Sequence, residues 1–328
     1  MKAFRLSIER KILHFRTPAR TSRGDLRERE VFLVRAEAAD GRSGIGECCT
    51  MPGLSPECGP DYADRLAEAC ARVEVAQSLV DGLPSSMRFG LECALRRLAG
   101  GGLLAGETPF TRGEEGIPLH HLIWMADAPA MLRHMQEGVE RGFSCIKLKV
   151  GAMPFAEEVA MLREARRRFP GTEIRVDANG AFSPQDALHK LESLADAGVD
   201  LIEQPIRPGQ PEAMAALCRQ SPLPIALDEE LIPARTHAER EMLLDTIHPQ
   251  ALVIKPSLHG GLSGAEDWAN LAERRGIRWW VNSALESHIG LQALLEWCAA
   301  RAPHTLHGLG TGALYTDDTL PGFTIRSG

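Results

Sequence analysis

Three carboxylates, Asp177, Glu203 and Asp228, each close a short apolar run, and they stand 26 and 25 residues apart. The runs are Ile174-Arg175-Val176-Asp177, Val199-Asp200-Leu201-Ile202-Glu203 and Pro224-Ile225-Ala226-Leu227-Asp228. A β-strand with its covering helix and two loops consumes about that much chain, so consecutive parallel strands would carry one acid each at their carboxyl ends. Three acids converging there offer hard oxygen donors to a divalent cation. Magnesium suits such donors, with manganese as a substitute.

Other strand ends supply further groups: Lys147 and Lys149, Asn179, Glu229 beside Glu230, Lys255, Ser283, and the loop Gly308 to Gly312. The period of two along a strand puts both lysines of Lys147-Leu148-Lys149 on one face. Lys255 belongs to a strand four further round, which brings it in from nearly the opposite side. That set matches removal of a proton next to a carboxylate, where a bound cation offsets the charge that builds on the two oxygens. A lysine acts as base only if its pKa falls toward neutrality, and burial of Lys149 beside Lys147 and a metal pushes in that direction.

Positioning these residues requires strict βα alternation, and the chain supplies it from residue 116 onward. Candidate strands are Pro118 to Ile123, Cys145 to Lys149, Glu173 to Asp177, Asp200 to Gln204, Ile225 to Asp228, Ala251 to Lys255, Arg278 to Asn282 and Thr305 to Leu309. Amphipathic stretches such as Asp127 to Arg141, Ala156 to Phe169, Pro184 to Ala197, Arg235 to Ile247 and Gly261 to Arg275 lie between them. The pattern predicts an α/β protein with a (β/α)8-type (TIM-like) barrel over residues 116–310. Residues 1–115 read as an α+β capping domain. Phe4 to Arg10 and Glu30 to Ala38 alternate as strands, Asp40-Gly41 signals a hairpin, and Tyr62 to Leu79 and Ser85 to Leu98 have helical spacing. The tail, residues 311–328, is too short for another βα unit. Its Gly322-Phe323-Thr324-Ile325 is expected to return as an extended segment to the cap.

The motifs Lys147-Leu-Lys149, Asp177-Ala-Asn179, Glu203-Gln204-Pro205, Asp228-Glu229 and Lys255-Pro256-Ser257-Leu258 resemble those of the enolase superfamily, in its muconate-lactonizing subgroup. The handling of substrate by such sites, with a lysine or histidine base and magnesium, is a known pattern. Ser283-Ala-Leu-Glu286-Ser287 with Gly290-Leu291, and Gly308-Leu-Gly310-Thr-Gly312-Ala-Leu-Tyr315, are similar to the loops of a dehydrating branch of that subgroup. The segment Gly46 to Ser55 is similar to a cap loop common in it. The resemblance implies a metal-dependent hydro-lyase, eliminating water in syn fashion from a cyclohexadiene carboxylate that bears a succinyl arm.

In that reading Asp177, Glu203 and Asp228 bind magnesium, which holds the ring carboxylate. Lys149 takes the α-proton and then helps the hydroxyl leave, Lys255 stabilises charge from the opposite face, and Lys147 tunes Lys149. Asn179 and Glu229 support the ligands. The substrate is a small dicarboxylate of which the metal engages one end. For the other end the expected receptors are an arginine of the cap loop between two strands that carries Arg16, Arg20, Arg23 and Arg27, a kind of loop that often closes over barrel mouths, or backbone amides near Ser283 and Gly310.

Blander readings apply to single residues. Lys147 alone resembles a snorkelling surface lysine, Glu230 a solvent-facing spectator, and Ser283 an ordinary strand-end hydroxyl. The pairs His120-His121 and His304/His307 read as structural. Gly308-x-Gly310-x-Gly312 lacks the opening helix of a dinucleotide fingerprint. Two alternative functions remain on the sequence: racemisation or epimerisation of N-acylamino acids or dipeptides, served by two opposed lysines, and a non-catalytic carboxylate-binding barrel. Related dipeptide epimerases usually carry an Asp-x-Asp element where this chain has Gly310-Thr311-Gly312, which weighs against epimerisation.

Composition sets outer bounds. With 328 residues, 44% hydrophobic and 25% charged, the chain can bury a large core. The net charge of -7 provides no basic footprint for nucleic acid. Neither a signal segment nor a membrane span is visible, so a cytoplasmic protein is expected. Eight cysteines show no zinc spacing and no disulfide framework, and most of them read as small buried apolar residues. An oligomer is compatible with the chain, with no surface marking it.

Overall fold

The computed structural model describes residues 4–21 and 24–318, with the side chains of residues 20, 21, 24 and 25 left aside. The expected return segment Gly322 to Ile325 and the expected Arg23 lie outside the described residues, as does the side chain of Arg20.

The amino-terminal part is an antiparallel sheet covered by helices. Strands β1 (Phe4–Thr21), β2 (Gly24–Ala38) and β3 (Ser43–Cys48) pair in the order β1-β2-β3. The Asp40-Gly41 turn closes the second hairpin, with Gly41 at φ 86. Helices α1 (Tyr62–Val75) and α2 (Ser85–Ala99) pack on the sheet through Leu66, Val73, Leu91 and Ala94, all fully buried or nearly so. Contact between α2 and β3 is close enough to require glycine: a Cβ on Gly46 would lie 1.9 Å from the Gly90 carbonyl oxygen.

The first hairpin is longer than the alternation predicts. Pairing continues past a register shift between His14 and Ala19 to Thr21↔Gly24, so the described residues on both sides of positions 22 and 23 form a paired ribbon rather than an open loop. Leu13, Phe15 and Ala19 explain this: they are buried against Val31, Leu285 and Tyr315, and burial holds the ribbon down.

From His121 onward strands and helices alternate. The strands are β4 (His121–Ile123), β5 (Cys145–Lys149), β6 (Glu173–Asp177), β7 (Leu201–Glu203), β8 (Ile225–Leu227), β9 (Ala251–Ile254) and β10 (Arg278–Val281). Their helices are α3 (Ala128–Glu140), α4 (Phe155–Arg168), α5 (Pro184–Asp196), α6 (Pro211–Gln220), α7 (His237–Ile247), α8 (Gly261–Arg274) and α9 (His288–Arg301). The helix starts follow local chemistry. Asp127 and Ser183 each cap an N-terminus with proline in the first turn, and Thr236 with Glu239 forms a reciprocal capping box.

Strands β4 to β10 form one parallel sheet in sequential order. Its curl is visible in two ways. Arg175 of β6 stacks over Trp280 of β10, 4.5 Å from the ring centroid, although three strands lie between them. His307 and Gly308 touch both edges: His307 bridges Leu119 beside β4, and Gly308 bridges Asn282 just beyond β10. The segment expected as an eighth strand, Thr305 to Leu309, makes only these bridges, because its backbone turns away after two residues.

The tail begins by lying on the ribbon of β1. Phe15 pairs with Tyr315, Arg16 donates its amide to the Leu314 carbonyl, and Thr316 donates to that of His14. All eight cysteines are free, seven of them buried and Cys58 exposed. Among the described residues no helix is long and apolar enough to cross a membrane.

Candidate active site

Register places the site. In the parallel ladder Lys149 lies opposite Asp177, Asp177 opposite Glu203, and Glu203 opposite Ala226. Asp228 stands two residues beyond Ala226 and therefore on the same face. Asp177, Glu203 and Asp228 thus project from three neighbouring strand ends into the curled interior, each almost wholly buried.

Every acid meets a lysine. Lys147 Nζ lies 2.6 Å from Glu203 Oε2 and 3.0 Å from Asp177 Oδ2. Lys149 Nζ donates to Asp177 Oδ2 at 2.8 Å and to Asn179 Oδ1 at 2.6 Å. Lys255, at the end of the adjacent strand β9, is paired with Asp228. Lys147 is buried, so its reading as a snorkelling surface lysine is overturned. Asn179 in turn donates Nδ2 to Glu229 Oε1 at 3.0 Å, joining the two predicted supporting residues. Its backbone is left-handed, φ 44, a conformation asparagine tolerates better than most residues.

Charge is balanced tightly. Burial pushes the Asp177 carboxyl up, but Lys147, Lys149 and Lys255 outweigh it and hold it well below the usual carboxylate range. For Glu203, burial and the adjacent Asp177 win over Lys147 and push the carboxyl up, to about 8. Burial works against the charge on Lys147 and Lys255, yet their acid partners hold both ammonium groups above their ordinary value.

Glu203 Oε1 and Asp228 Oδ1 are buried with no hydrogen-bond partner. An unpaired buried carboxylate oxygen is costly, and two such oxygens on adjacent strands suit a hard cation that takes oxygen ligands. The donor set therefore fits a divalent ion. Among the described residues, however, no three His, Cys, Asp or Glu side chains are drawn together as a ready ligand cluster. Lysines occupy the space between the acids instead.

Gln204 explains how the acids are held. At φ 40 it is strained for a non-glycine residue, and its side chain is fully committed. Oε1 accepts the Asp228 and Glu230 amides at 3.1 and 3.2 Å, and Nε2 donates to the Ile206 carbonyl at 3.0 Å. Glu230 is not the expected spectator. It is buried and accepts the Gly209 amide at 2.8 Å and the Gln204 side chain at 3.2 Å, tying two strand-end loops together.

Ser283 and Gly310 line a cavity of about 190 Å³ with Lys149, Lys255, Asn179, Glu229 and, of the three acids, Asp177. The Ser283 hydroxyl donates to Glu286 Oε2 at 2.6 Å and accepts the Leu285 amide, so it orders its own loop. Glu286 also accepts the Ser257 hydroxyl at 2.6 Å, bracing the segment after Lys255. From the cap come Leu26, Met51, Pro52 and Leu54, which cover the mouth with apolar surface. Arg16 and Arg27 do not reach this pocket. They line a neighbouring cavity of about 620 Å³ that shares only the walls Leu122 and Trp124 with it, because the ribbon turns their exposed side chains outward.

His120, expected to be structural, lines the same pocket with Asn282, both close to Gly308. Burial, reinforced by Lys147 and Arg175, keeps its imidazole neutral well below the ordinary range. The signal in the sequence was position alone: His120 sits just before the first strand of the alternating series. His307 serves the fold, accepting the Val281 amide at Nδ1 and donating from Nε2 to the Ala302 carbonyl.

The cap is fixed to this site by Glu47 of β3. Its buried carboxylate accepts the Ser287 amide at 3.0 Å and the Gly290 amide at 2.9 Å, at the N-terminus of α9. Beside it, Arg97 of α2 pairs with Glu296 of α9 at 2.9 Å in a buried bridge.

Residues 130–328 match the family model "Enolase C-terminal domain-like". The chain is 40% identical to the o-succinylbenzoate synthase of Desulfotalea psychrophila, over all of this chain and 99% of that protein. It superposes on the crystal structure of MenC from that organism with a TM-score of 0.88 and 36% identity, covering 99% of both chains. The L-Ala-D/L-Glu epimerase of Bacillus subtilis, in a substrate-liganded structure, shares the fold with a TM-score of 0.82 at 22% identity, over 97% of this chain and 92% of that one. With a matched model over more than half its length and strand-end acids and lysines at the expected positions, the chain belongs to the enolase superfamily, in the enolase C-terminal domain-like family.

Proposed function

We propose that this chain is a magnesium-dependent o-succinylbenzoate synthase. It removes water in syn fashion from 2-succinyl-6-hydroxy-2,4-cyclohexadiene-1-carboxylate, a step of menaquinone biosynthesis. The observation that carries this reading is that Lys149 and Lys255 line one pocket from different sides, each joined to one of the strand-end acids. The likeness to the Desulfotalea enzyme over the whole chain supports the choice of substrate.

Asp177, Glu203 and Asp228 would hold the cation, which supplies positive charge to the ring carboxylate when bound. Lys149, at the mouth beside Asn179, takes the α-proton. Its conjugate acid then donates to the departing hydroxyl on the same face, which accounts for the syn course. Lys255 faces the other side of the ring and offsets the negative charge that develops there. Lys147 stays charged between Asp177 and Glu203, and it shares the Asp177 carboxylate with Lys149. Leu26, Met51 and Leu54 exclude water above the ring.

The architecture is read as a (β/α)8-type barrel in which His307 and Gly308 stand for the eighth strand. Their bridges to both sheet edges support that closure. Residues 1–115 are read as the cap, 116–310 as the barrel and 311–328 as the returning tail. The protein acts in the cytoplasm on this reading.

The two opposed lysines also favour a second reaction, racemisation of N-succinylamino acids. Assaying dehydration of the cyclohexadiene beside α-proton exchange of N-succinylamino acids in deuterium oxide separates the two. Lys149→Ala is expected to lower the dehydration rate by about 10²- to 10⁴-fold while the cation still binds. Full turnover by that variant would refute the assignment of the base.

A further inference from the structure

Five cationic side chains are buried among the described residues, and one differs from the rest. Arg97, Lys147, Arg175 and Arg240 each face a carboxylate within 3.0 Å. Arg29, on β2 of the cap and 4% exposed, faces none. Its Nη1 donates to Met51 Sδ at 3.2 Å, its Nη2 to Cys49 Sγ at 3.3 Å, and its Nε has no partner.

Sulfur is a weak acceptor, and burial holds the Cys49 thiol well above its ordinary pKa, so it supplies no compensating charge. The acids around Cys49 are committed elsewhere. Glu286 accepts from Ser257, Ser283 and the Ala284 amide, and Glu47 accepts from Ser287 and Gly290. A buried guanidinium left with thioether and thiol is a large cost unless an anion joins it during function.

The position of Arg29 says which anion. Met51, its thioether partner, forms part of the wall of the reaction pocket, beside Leu26 and Leu285. Those residues and Cys49 belong to one small apolar cluster between cap and sheet. The guanidinium therefore stands one side chain behind the pocket wall, on the cap side. The proposed substrate carries two carboxylates, of which the strand-end acids and their cation engage one.

We propose that Arg29 receives the second carboxylate, which takes the place of the Met51 sulfur on Nη1 when Met51 withdraws. This rests on the dehydratase reading and deepens it. Arg29 becomes the specificity determinant for a dianionic substrate, in place of the exposed Arg16 and Arg27. A carboxylate pairs with a guanidinium far better than a thioether does, so the exchange favours the dianion over neutral-armed analogues.

The test uses the full chain with magnesium and two ligands, o-succinylbenzoate and its methyl ester at the succinyl carboxyl. In the wild type the free acid should bind at least tenfold more tightly than the ester. Arg29→Met, of similar length and uncharged, should abolish that preference, leaving ester affinity nearly unchanged and raising KM for the dehydration substrate more than it lowers kcat. Equal weakening of both ligands, the mark of a merely structural Arg29, would overturn the proposal, as would an undiminished preference. If the neutral variant does not fold, Arg29→Lys keeps the charge and must retain part of the preference; complete loss in that variant also overturns it. A wild-type chain that discriminates the two ligands yet fails to dehydrate the cyclohexadiene would refute the reaction and not the subsite.

Discussion

Lys147 Nζ lies 2.6 Å from Glu203 Oε2, with both side chains buried at the carboxyl ends of β5 and β7 and Asp177 of β6 between them. The contact spans one intervening strand, which only a long side chain can do. It holds Asp177 and Glu203 together by satisfying both at once.

Removing that cation should cost stability wherever no metal replaces it. Lys147→Met leaves an uncompensated buried acid, a loss on the order of 3–5 kcal/mol. Thermal unfolding with chelator should show a lowered Tm, and added magnesium should raise Tm more in the variant than in the wild type. Equal Tm values in chelator would contradict the role assigned to Lys147.

Cation binding should depend on the orphaned oxygens. Glu203→Gln and Asp228→Asn keep size and remove charge at the residues whose Oε1 and Oδ1 have no partner. Each is expected to weaken magnesium binding at least about tenfold, or roughly 1.4 kcal/mol. Calorimetric titration of the purified variants measures this directly, and unchanged affinity in both would remove these residues from the ligand set.

Cap docking should depend on Glu47. Glu47→Ala leaves the Ser287 and Gly290 amides without their acceptor in a buried setting, at a cost of about 2–3 kcal/mol. Urea unfolding should register the loss. Because Ser287 begins α9 just after the pocket loop Ser283 to Leu285, the variant should also lose activity under conditions where it remains folded. Wild-type stability in this variant would show that the docking bonds carry little.

Acid sensitivity should trace in part to His307. Burial lowers its folded-state pKa from 6.5 to about 4. Below pH 6.5 the unfolded chain takes up a proton that the folded chain refuses, so the unfolded state binds more protons and stability falls with decreasing pH. The contribution is complete above 6.5 and is lost progressively down to about 4, for a total of about 3 kcal/mol. Urea midpoints at pH 7.5 and 5.0 should differ less in His307→Gln than in the wild type. An identical difference would show that His307 does not titrate in this window.

The repeating part of the fold was legible because each βα unit is local. A strand buries an apolar run, the next helix covers it, and the spacing of 26 and 25 residues between acids follows from that unit alone. What the pattern blurred were ends and edges. The ribbon of β1 and β2 extends to Thr21 and Gly24 because Leu13, Phe15 and Ala19 find burial against Leu285 and Tyr315, residues near the other end of the chain. No local periodicity records such a partner. Glu230 was misjudged for the same reason: its neighbours on the chain are other acids, but its partners are Gly209 and Gln204.

By itself, then, the sequence determined which acids and lysines stand at strand ends and on which face, because pleat and crossover length are short-range constraints. It also determined the chemistry those residue types permit. Only the tertiary structure decided how the charges pair: Lys147 to Glu203, Lys255 to Asp228, and Arg29 to sulfur. It likewise decided which arginine stands behind the pocket wall. Those choices depend on how far the sheet curls and where the cap rests on it, and both are set by contacts between residues far apart in the chain.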